Sequence, residues 1–271
     1  MTSPIKAVVF DWAGTMVDFG CLAPVEALIE AFAAEGVPIS TEEARRDMGR
    51  AKRDHVARLM KSPRVAEAWR QAHGAPPAEV DVNRLFAALE PLMQVRAAAH
   101  AELIPGAADL ALALRAEGVR IGSGTGYTHA MMAEIEAAAA RQGYAPDVVV
   151  CAGDTPSGRP SPLMTWAALI RIDAWPAQAC VKIDDAEVGI AEGAAAGCWT
   201  IGIAASGNGV GLSLSDYRAL AEPDRRTRLE AAVRSLQAAG ADFVVETVAE
   251  ARPALDEIGR RIARGERPPP R

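Results

Sequence analysis

The pattern of apolar and polar positions begins with a short run that ends in an acid. Residues 7–10 are all apolar, Asp11 follows them directly, and the turn residues Ala13 and Gly14 come next. Such a run is typical of a buried strand in a parallel sheet. Open α/β sheets bind their ligands at the carboxyl edge of the strands. The pattern therefore predicts that Asp11 lies at a functional edge.

From residue 21 to residue 99 the spacing of apolar residues is helical. They recur every three or four positions, and glycine or proline ends the segments. Ser40 followed by Glu43 forms a capping box for the second helix. The pattern predicts helices over 24–34, 41–48, 51–61, 64–73 and 82–99. We therefore expect residues 21–99 to form an all-helical cap domain that covers Asp11.

From residue 103 onward strands and helices alternate, which implies right-handed crossovers and a parallel sheet. Strands are predicted over 119–122, 147–151, 180–183, 200–204 and 242–246. Helices are predicted over 106–118, 128–142, 161–171 and 187–196. We predict an α/β fold with a Rossmann-like parallel-sheet core over residues 1–20 and 100–271. The basic, proline-rich residues 260–271 should form a frayed tail, and residues 206–215 are either a lid or a plain connection.

Composition limits the classes of function. The chain has 271 residues, of which 50% are hydrophobic, so it can bury a sizeable core. A net charge of -6 argues against a nucleic-acid surface, and no apolar run approaches the roughly 20 residues of a membrane span. No pair of its four cysteines has C-x-x-C spacing. With no secretory signal before Lys6, we expect a cytoplasmic protein without nucleic-acid or membrane partners.

Three further groups of polar residues follow predicted strands. Thr125 and Gly126 lie between a strand and a helix, where a hydroxyl and free N–H groups suit a phosphate or a simple helix cap. Arg159, in a glycine-proline loop, could neutralise phosphoryl charge. Asp184 and Asp185 end the strand predicted over 180–183. Together with the hhhhDxxGT pattern around Asp11, these groups resemble the four motifs of the haloacid dehalogenase superfamily, in order.

That resemblance implies roles for the acids. Asp11 would attack phosphorus or carbon and become transiently phosphorylated. Asp11, the backbone carbonyl of Ala13 and Asp185 would hold Mg²⁺, a cation that needs only one or two carboxylates. Many superfamily members carry another aspartate four or five residues downstream, where this chain has Val188 and Gly189. Either of two nearby acids could replace it, namely Asp184 or Glu187.

Ala13 occupies the position at which the superfamily's phosphatases usually have a general acid. Alanine donates no proton, which argues against an ordinary phosphate ester as substrate. A carbon leaving group fits, because an aldehyde condensed with a lysine accepts the electrons of a P–C bond and leaves as a neutral enamine. Lys52 is the candidate lysine, since the helix start and two adjacent arginines favour its neutral form. His55 shares its helix face and could transfer protons.

Longer runs extend the resemblance. DWAGTMVDFGC, MGRAKRDHV, GSGTGYT, SGRP and VKIDDAEVGI resemble the phosphonoacetaldehyde hydrolase family of that superfamily. This resemblance implies a Mg²⁺-dependent homodimer that hydrolyses phosphonoacetaldehyde to acetaldehyde and phosphate in the breakdown of 2-aminoethylphosphonate. It implies Asp11 as nucleophile and Lys52 as the Schiff-base lysine. The substrate-binding residues that it implies are Thr125, Gly126, Arg159, His55, Met48, Cys21 and Tyr127.

Two other functions stay open at this point. The chain could be a generic superfamily phosphatase or dehalogenase that acts on another small substrate. Ala13 argues against the phosphatase, whereas Thr125 and Arg159 argue against the dehalogenase. It could also be an inactive member that binds a phosphonate, although the joint presence of all the motif residues argues against this. Substrate panels would separate these alternatives.

Overall fold

The computed structural model describes residues 3–270, and a six-stranded sheet runs through its centre. The strands are β1 (Ala7–Phe10), β2 (Arg120–Gly124), β3 (Val148–Val150), β4 (Cys180–Asp184), β5 (Trp199–Ile203) and β6 (Phe243–Val245). They lie in the order β3, β2, β1, β4, β5, β6, and all neighbouring pairs are parallel. The carboxyl ends of β1, β2 and β4 therefore lie side by side at one edge, as the alternation predicted.

Five helices are inserted between β1 and the rest of the sheet. They are α1 (Leu22–Ala34), α2 (Thr41–Arg45), α3 (Lys52–Lys61), α4 (Pro63–His73) and α5 (Glu79–Ala99). α1 and α3 both pack on α5, and the apolar stripe of α5 includes the buried residues Leu85, Leu89 and Met93. These helices form the helical cap of the fold. The division at residues 20/21 and 99/100 stays a prediction.

The remaining helices cover both faces of the sheet. They are α6 (Ala107–Ala116), α7 (His129–Arg141), α8 (Leu163–Arg171), α9 (Glu187–Ala195), α10 (Leu214–Ala219), α11 (Glu222–Ala238) and α12 (Ala251–Ala263). Ala7 and Val9 of β1 belong to a core cluster with α8, whereas Val8 and Phe10 belong to the cluster that includes α12. Because both faces of β1 are buried, its sequence is an unbroken apolar run.

Three predictions of secondary structure were wrong. α2 ends at Arg45 rather than at residue 48, because the chain turns there towards Gly49, whose φ is 88°. Residues 260–263 are not part of a frayed tail: they complete α12, where Arg260 and Arg261 pair with Glu257 at 2.9 Å. Arg271 lies outside the described residues. The pattern predicted no helix after residue 196, so it also missed α10, α11 and α12.

The structure bears on two expectations about composition. The four cysteines are all free and buried. None of the helices within residues 3–270 combines the length and the apolar character that crossing a bilayer requires.

Candidate active site

A small cavity lies where the carboxyl ends of β1, β2 and β4 meet the start of α3. Its walls combine residues of the sheet with residues of the helical cap. The lining residues are Asp11, Ala13, Cys21, Met48, Gly49, Lys52, Thr125, Gly126, Tyr127, Arg159 and Asp185. Every residue predicted for the site thus lines the cavity except His55 and the two alternative acids, Asp184 and Glu187. Gly49 was not predicted. His55 is fully buried one turn along α3 from Lys52.

Arg159 is held next to Asp11 by contacts around its whole guanidinium group. Its Nη1 lies 2.8 Å from Oδ1 of Asp11, its Nη2 donates to the carbonyl of Gly124 at 2.7 Å, and its Nε donates to Glu192 at 2.9 Å. Burial, with the nearby Asp184 carboxylate, raises the pKa of Asp11 to about 6 despite the opposing effect of Arg159. A bound phosphoryl group would therefore meet a cation already in position.

Lys52 is the unusual member of the cavity wall. It is only 2% exposed, and its Nζ lies 3.8 Å from Sδ of Met48 and 5.0 Å from the centre of the Tyr127 ring. Burial, aided by the positive charge of Arg159, lowers the pKa of Lys52 to about 8. At pH 7 about one amine in ten is then neutral, against about one in three thousand at an ordinary lysine pKa. The cavity therefore contains an amine that loses its proton far more readily than an ordinary lysine does.

His55 lies behind this lysine rather than on the cavity wall. Burial and the adjacent Lys52 ammonium hold the pKa of His55 well below its ordinary value of 6.5. The imidazole is therefore neutral at pH 7, with one nitrogen able to accept a proton. His55 is therefore not part of the cavity wall, where the resemblance implied a substrate-binding residue.

The donor set of the site suits a divalent cation. Asp11, Asp184 and Asp185 are buried and offer carboxylate oxygens within 4.8 Å of one another. Burial, followed by repulsion from Asp11 and Asp184, raises the pKa of Asp185 well above its ordinary range. A cation would relieve this repulsion, and carboxylates with a backbone carbonyl are the oxygen ligands that Mg²⁺ prefers. Glu187 takes no part, because its carboxylate accepts a hydrogen bond from Ser235 on the surface.

Asp184 fills the space left by the missing downstream acid. A Cβ atom added to Gly189 would lie between 2.0 and 2.3 Å from three atoms of the Asp184 carboxyl group. Asp184 is 2.7 Å from Nζ of Lys182 and 3.4 Å from Arg159. Burial would raise the pKa of Asp184, but these two cations outweigh it and lower the pKa. One buried carboxylate has therefore been supplied from the strand instead of from α9.

Thr125 and Gly126 form the wall that faces the cap. The Thr125 N–H donates to the carbonyl of Val150 at 3.0 Å, and its hydroxyl accepts from the N–H of Tyr127 at 3.2 Å. A Cβ atom at Gly126 would lie 2.3 Å from the carbonyl oxygen of Arg50. Only glycine allows the backbone of Arg50 to come this close. The N–H of Lys52 donates to the Gly126 carbonyl at 3.2 Å, which joins the cap to this wall.

Comparisons with known proteins identify the family of this chain. The model of the haloacid dehalogenase-like hydrolase family matches residues 5–197. The phosphonoacetaldehyde hydrolase of Paraburkholderia xenovorans (strain LB400) is 48% identical over 97% of this chain and 99% of its own length. This chain belongs to the phosphonoacetaldehyde hydrolase family. Another member, from Syntrophobacter fumaroxidans (strain DSM 10017 / MPOB), is 46% identical over 98% of this chain and 96% of its own.

The crystal structure of a phosphonoacetaldehyde hydrolase-like protein from Oleispira antarctica has the same architecture. Its TM-score is 0.96 at 38% identity, over 99% of this chain and 98% of that chain. The fold is therefore the parallel-sheet core with a helical cap that the resemblance to the phosphonoacetaldehyde hydrolase family implied.

Sequence reasoning missed several residues that support the site. Glu192, 1% exposed, accepts hydrogen bonds from both Arg159 and Thr165. Lys182 is fully buried beside Asp184. A signal existed for Glu192, a single charge within a stretch of small and apolar residues, since a buried charge must find a partner. Its partners, Arg159 and Thr165, lie elsewhere in the sequence, so the pattern alone did not identify them. Lys182 and its partner Asp184 are two residues apart on β4, which is the spacing that places two side chains on one face of a strand.

Proposed function

We propose that this protein hydrolyses the P–C bond of phosphonoacetaldehyde and releases acetaldehyde and phosphate. The observation that carries the proposal is the buried amine of Lys52, which shares one cavity with Asp11. Ala13, which lines the same cavity, cannot act as a general acid. A buried amine beside a carboxylate, with no general acid, suits the cleavage of a P–C bond, and the relatives are named phosphonoacetaldehyde hydrolases.

Lys52 provides the electron sink. Its neutral amine attacks the aldehyde carbon, and water leaves as the imine forms. When phosphorus is removed, the electrons of the P–C bond move to the protonated imine nitrogen and produce a neutral enamine. Protonation of its carbon and hydrolysis then release acetaldehyde and restore Lys52. We assign the proton transfers of this imine chemistry to His55, which shares the helix face of Lys52.

Asp11 provides the nucleophile. Its carboxylate attacks phosphorus, the P–C bond breaks, and an aspartyl phosphate results, which water hydrolyses to phosphate. Arg159, already 2.8 Å from Asp11, would hold the phosphoryl oxygens with Thr125 and Gly126. The remaining proposed substrate contacts are Met48, Cys21 and Tyr127, all on the cavity wall.

Mg²⁺ is the cation we propose for the carboxylate cluster, held by Asp11, the carbonyl of Ala13 and Asp185. When bound, it would neutralise the charge that collects between the nucleophile and the phosphoryl group. Asp184 already engages Lys182 and Arg159, so we place it behind the ligands as a charge partner. We further propose that the protein is a cytoplasmic homodimer that takes part in 2-aminoethylphosphonate degradation.

The test is acetaldehyde release from phosphonoacetaldehyde with Mg²⁺, combined with borohydride reduction and mass mapping of the labelled lysine. We expect turnover, label on Lys52, and loss of both in Lys52→Arg. The matched control is Lys61→Met, an exposed lysine at the end of the same helix. Near-normal turnover by Lys52→Arg would refute the imine. Hydrolysis of phosphate esters but not of the phosphonate would favour the generic phosphatase instead.

A further inference from the structure

The loop that follows β5 packs directly against the candidate site. Ser206 donates its hydroxyl hydrogen to the carbonyl of Gly14 at 2.7 Å, and its own carbonyl accepts from the N–H of Gly20 at 2.7 Å. A Cβ atom at Gly207 would lie 2.7 Å from Cβ of Asp185. The loop is therefore not a plain connection, because it touches both the chain leaving β1 and Asp185.

Asn208, at the centre of this loop, orients Asp185. Its backbone N–H donates to Oδ2 of Asp185 at 2.8 Å, and the thiol of Cys21 donates to the same oxygen at 3.1 Å. With Oδ2 held by two donors, the direction of the other oxygen is defined. The position of the Asn208 backbone thus determines how Asp185 faces the cavity.

The helical cap holds Asn208 through a reciprocal pair of hydrogen bonds. Nη1 of Arg45, the last residue of α2, donates to Oδ1 of Asn208 at 3.0 Å, and Nδ2 of Asn208 donates to the Arg45 carbonyl at 3.1 Å. Arg45 also donates to the carbonyls of Gly20 at 2.9 Å and Gly211 at 3.0 Å. One arginine of the cap therefore binds Asn208 and Gly211 of the loop and also Gly20 in the chain that leaves β1.

Arg45 is also close in sequence to the residues that the cap contributes to the cavity. Only residues 46–51 separate it from Lys52, and this segment carries Met48 and Gly49 of the cavity wall. The same arginine thus fixes the start of the segment that ends at Lys52. Any displacement of this part of the cap from the sheet must break the contacts of Arg45.

We propose that Arg45 and Asn208 are positioning residues that couple the seating of the cap to the orientation of Asp185. When the cap is seated, Lys52 enters the cavity, and at the same time Asp185 takes the orientation in which it can bind the metal ion. When the pair is broken, the loop loosens and Asp185 loses a fixed donor. The proposal rests on the function proposed above, because it treats Asp185 as a Mg²⁺ ligand and Lys52 as the reacting amine.

The experiment compares Arg45→Ala, Asn208→Ala and their double variant with the wild type. Arg46→Ala is the control, since Arg46 is the exposed neighbour of Arg45. Two readouts need no turnover: the Mg²⁺ concentration that gives half of the maximal thermal stabilisation, and hydrogen exchange of the Asn208 and Gly211 amides. kcat and KM for phosphonoacetaldehyde are measured beside them.

We expect each single variant to raise the half-saturating Mg²⁺ concentration and the exchange rates of the loop amides about tenfold. This factor corresponds to the loss of a hydrogen bond that involves a charged group. The double variant should be no worse than Arg45→Ala, because both changes break one unit. Arg45→Lys keeps the charge but not the several donors of the guanidinium group, so its values should lie between those of the wild type and Arg45→Ala. Arg46→Ala should behave as wild type.

Unchanged Mg²⁺ response and loop exchange in a folded Arg45→Ala would overturn the coupling, and so would effects that add in the double variant. If Arg45→Ala does not fold, Asn208→Ala and Arg45→Lys still decide the question by the same two readouts. Absence of turnover in the wild type, with the loop responses as expected, would refute the proposed function and leave the coupling intact.

Discussion

The burial of Lys52 should make this lysine measurably costly to stability. Replacing it by methionine, an unbranched apolar side chain, removes the amine and keeps most of the packing. The pKa of Lys52 is lowered from 10.5 to about 8, and each pKa unit corresponds to about 1.4 kcal/mol. Lys52→Met should therefore raise the free energy of unfolding at pH 7 by up to about 3 kcal/mol, or roughly 6 to 10 °C in Tm.

The same argument gives a pH dependence with a definite sign. Between pH 8 and 10.5 the unfolded chain keeps a proton on this lysine and the folded chain does not, so wild-type stability rises with pH in that window. The advantage of Lys52→Met is therefore full below about pH 8. This stability difference should fall to about 2 kcal/mol at pH 9 and below about 1 kcal/mol at pH 10, because the lysine then loses its proton in the unfolded chain as well as in the folded one.

The assay is urea unfolding of both proteins, without Mg²⁺ or substrate, at pH 7, 9 and 10. Lys61→Met removes an exposed lysine of the same helix and should change stability by less than about 0.5 kcal/mol at each pH. A stability gap between Lys52→Met and the wild type that does not change between pH 7 and pH 10 would refute the reasoning. So would a wild type that is more stable than the variant at pH 7.

Three further predictions concern turnover and the buried charges. kcat/KM for phosphonoacetaldehyde should rise about tenfold per pH unit up to about pH 8 and then level off, because only neutral Lys52 forms the imine. A rise that continues towards pH 10 would contradict the lowered pKa of Lys52. Asp184→Gly should cost about 3–5 kcal/mol, since it leaves the buried Lys182 without this carboxylate. Gly189→Asp should be destabilised, because its side chain would collide with Asp184. The double variant returns one carboxylate to that space and should be more stable in urea than either single variant, whereas additive losses would show that the two positions do not share the space. Glu192→Ala should raise the inhibition constant of phosphate about 10-fold to 100-fold, because Arg159 loses the hydrogen bond that orients it. Glu192→Gln should retain most of the binding, because its side-chain oxygen still accepts from Nε of Arg159. Equal losses in the two variants would show that the charge of Glu192, and not the orientation of Arg159, matters.

Local pattern was sufficient for the elements of the sheet. β1 begins and ends where its apolar run does, and the other strands lie within two residues of the predicted bounds at each end. β1 and β5 are buried along their whole length, so a largely apolar run identifies them. The helices after residue 213 were harder to recognise. α11 has only Ala232 and Leu236 buried, so it carries almost no apolar stripe from which a helical period could be found.

The sequence by itself determined the fold class and indicated the candidate residues of the site. Asp11, Thr125, Arg159 and Asp185 follow strands or enter helices, and parallel topology brings such ends to one edge whatever the details of packing. Lys52 was predicted as the candidate lysine because Ala13 cannot protonate a leaving group, which then needs another way to be stabilised.

Only the tertiary structure decided how these groups are held. The Glu192 contact that orients Arg159, the Asp184 carboxylate in the space beside Gly189, and the Arg45 contacts with the loop after β5 join segments far apart in sequence. Such contacts leave no periodic signal, because each depends on a distance between elements and not on spacing within one. The lowered pKa of Lys52 has the same origin, since it follows chiefly from burial, which packing alone determines.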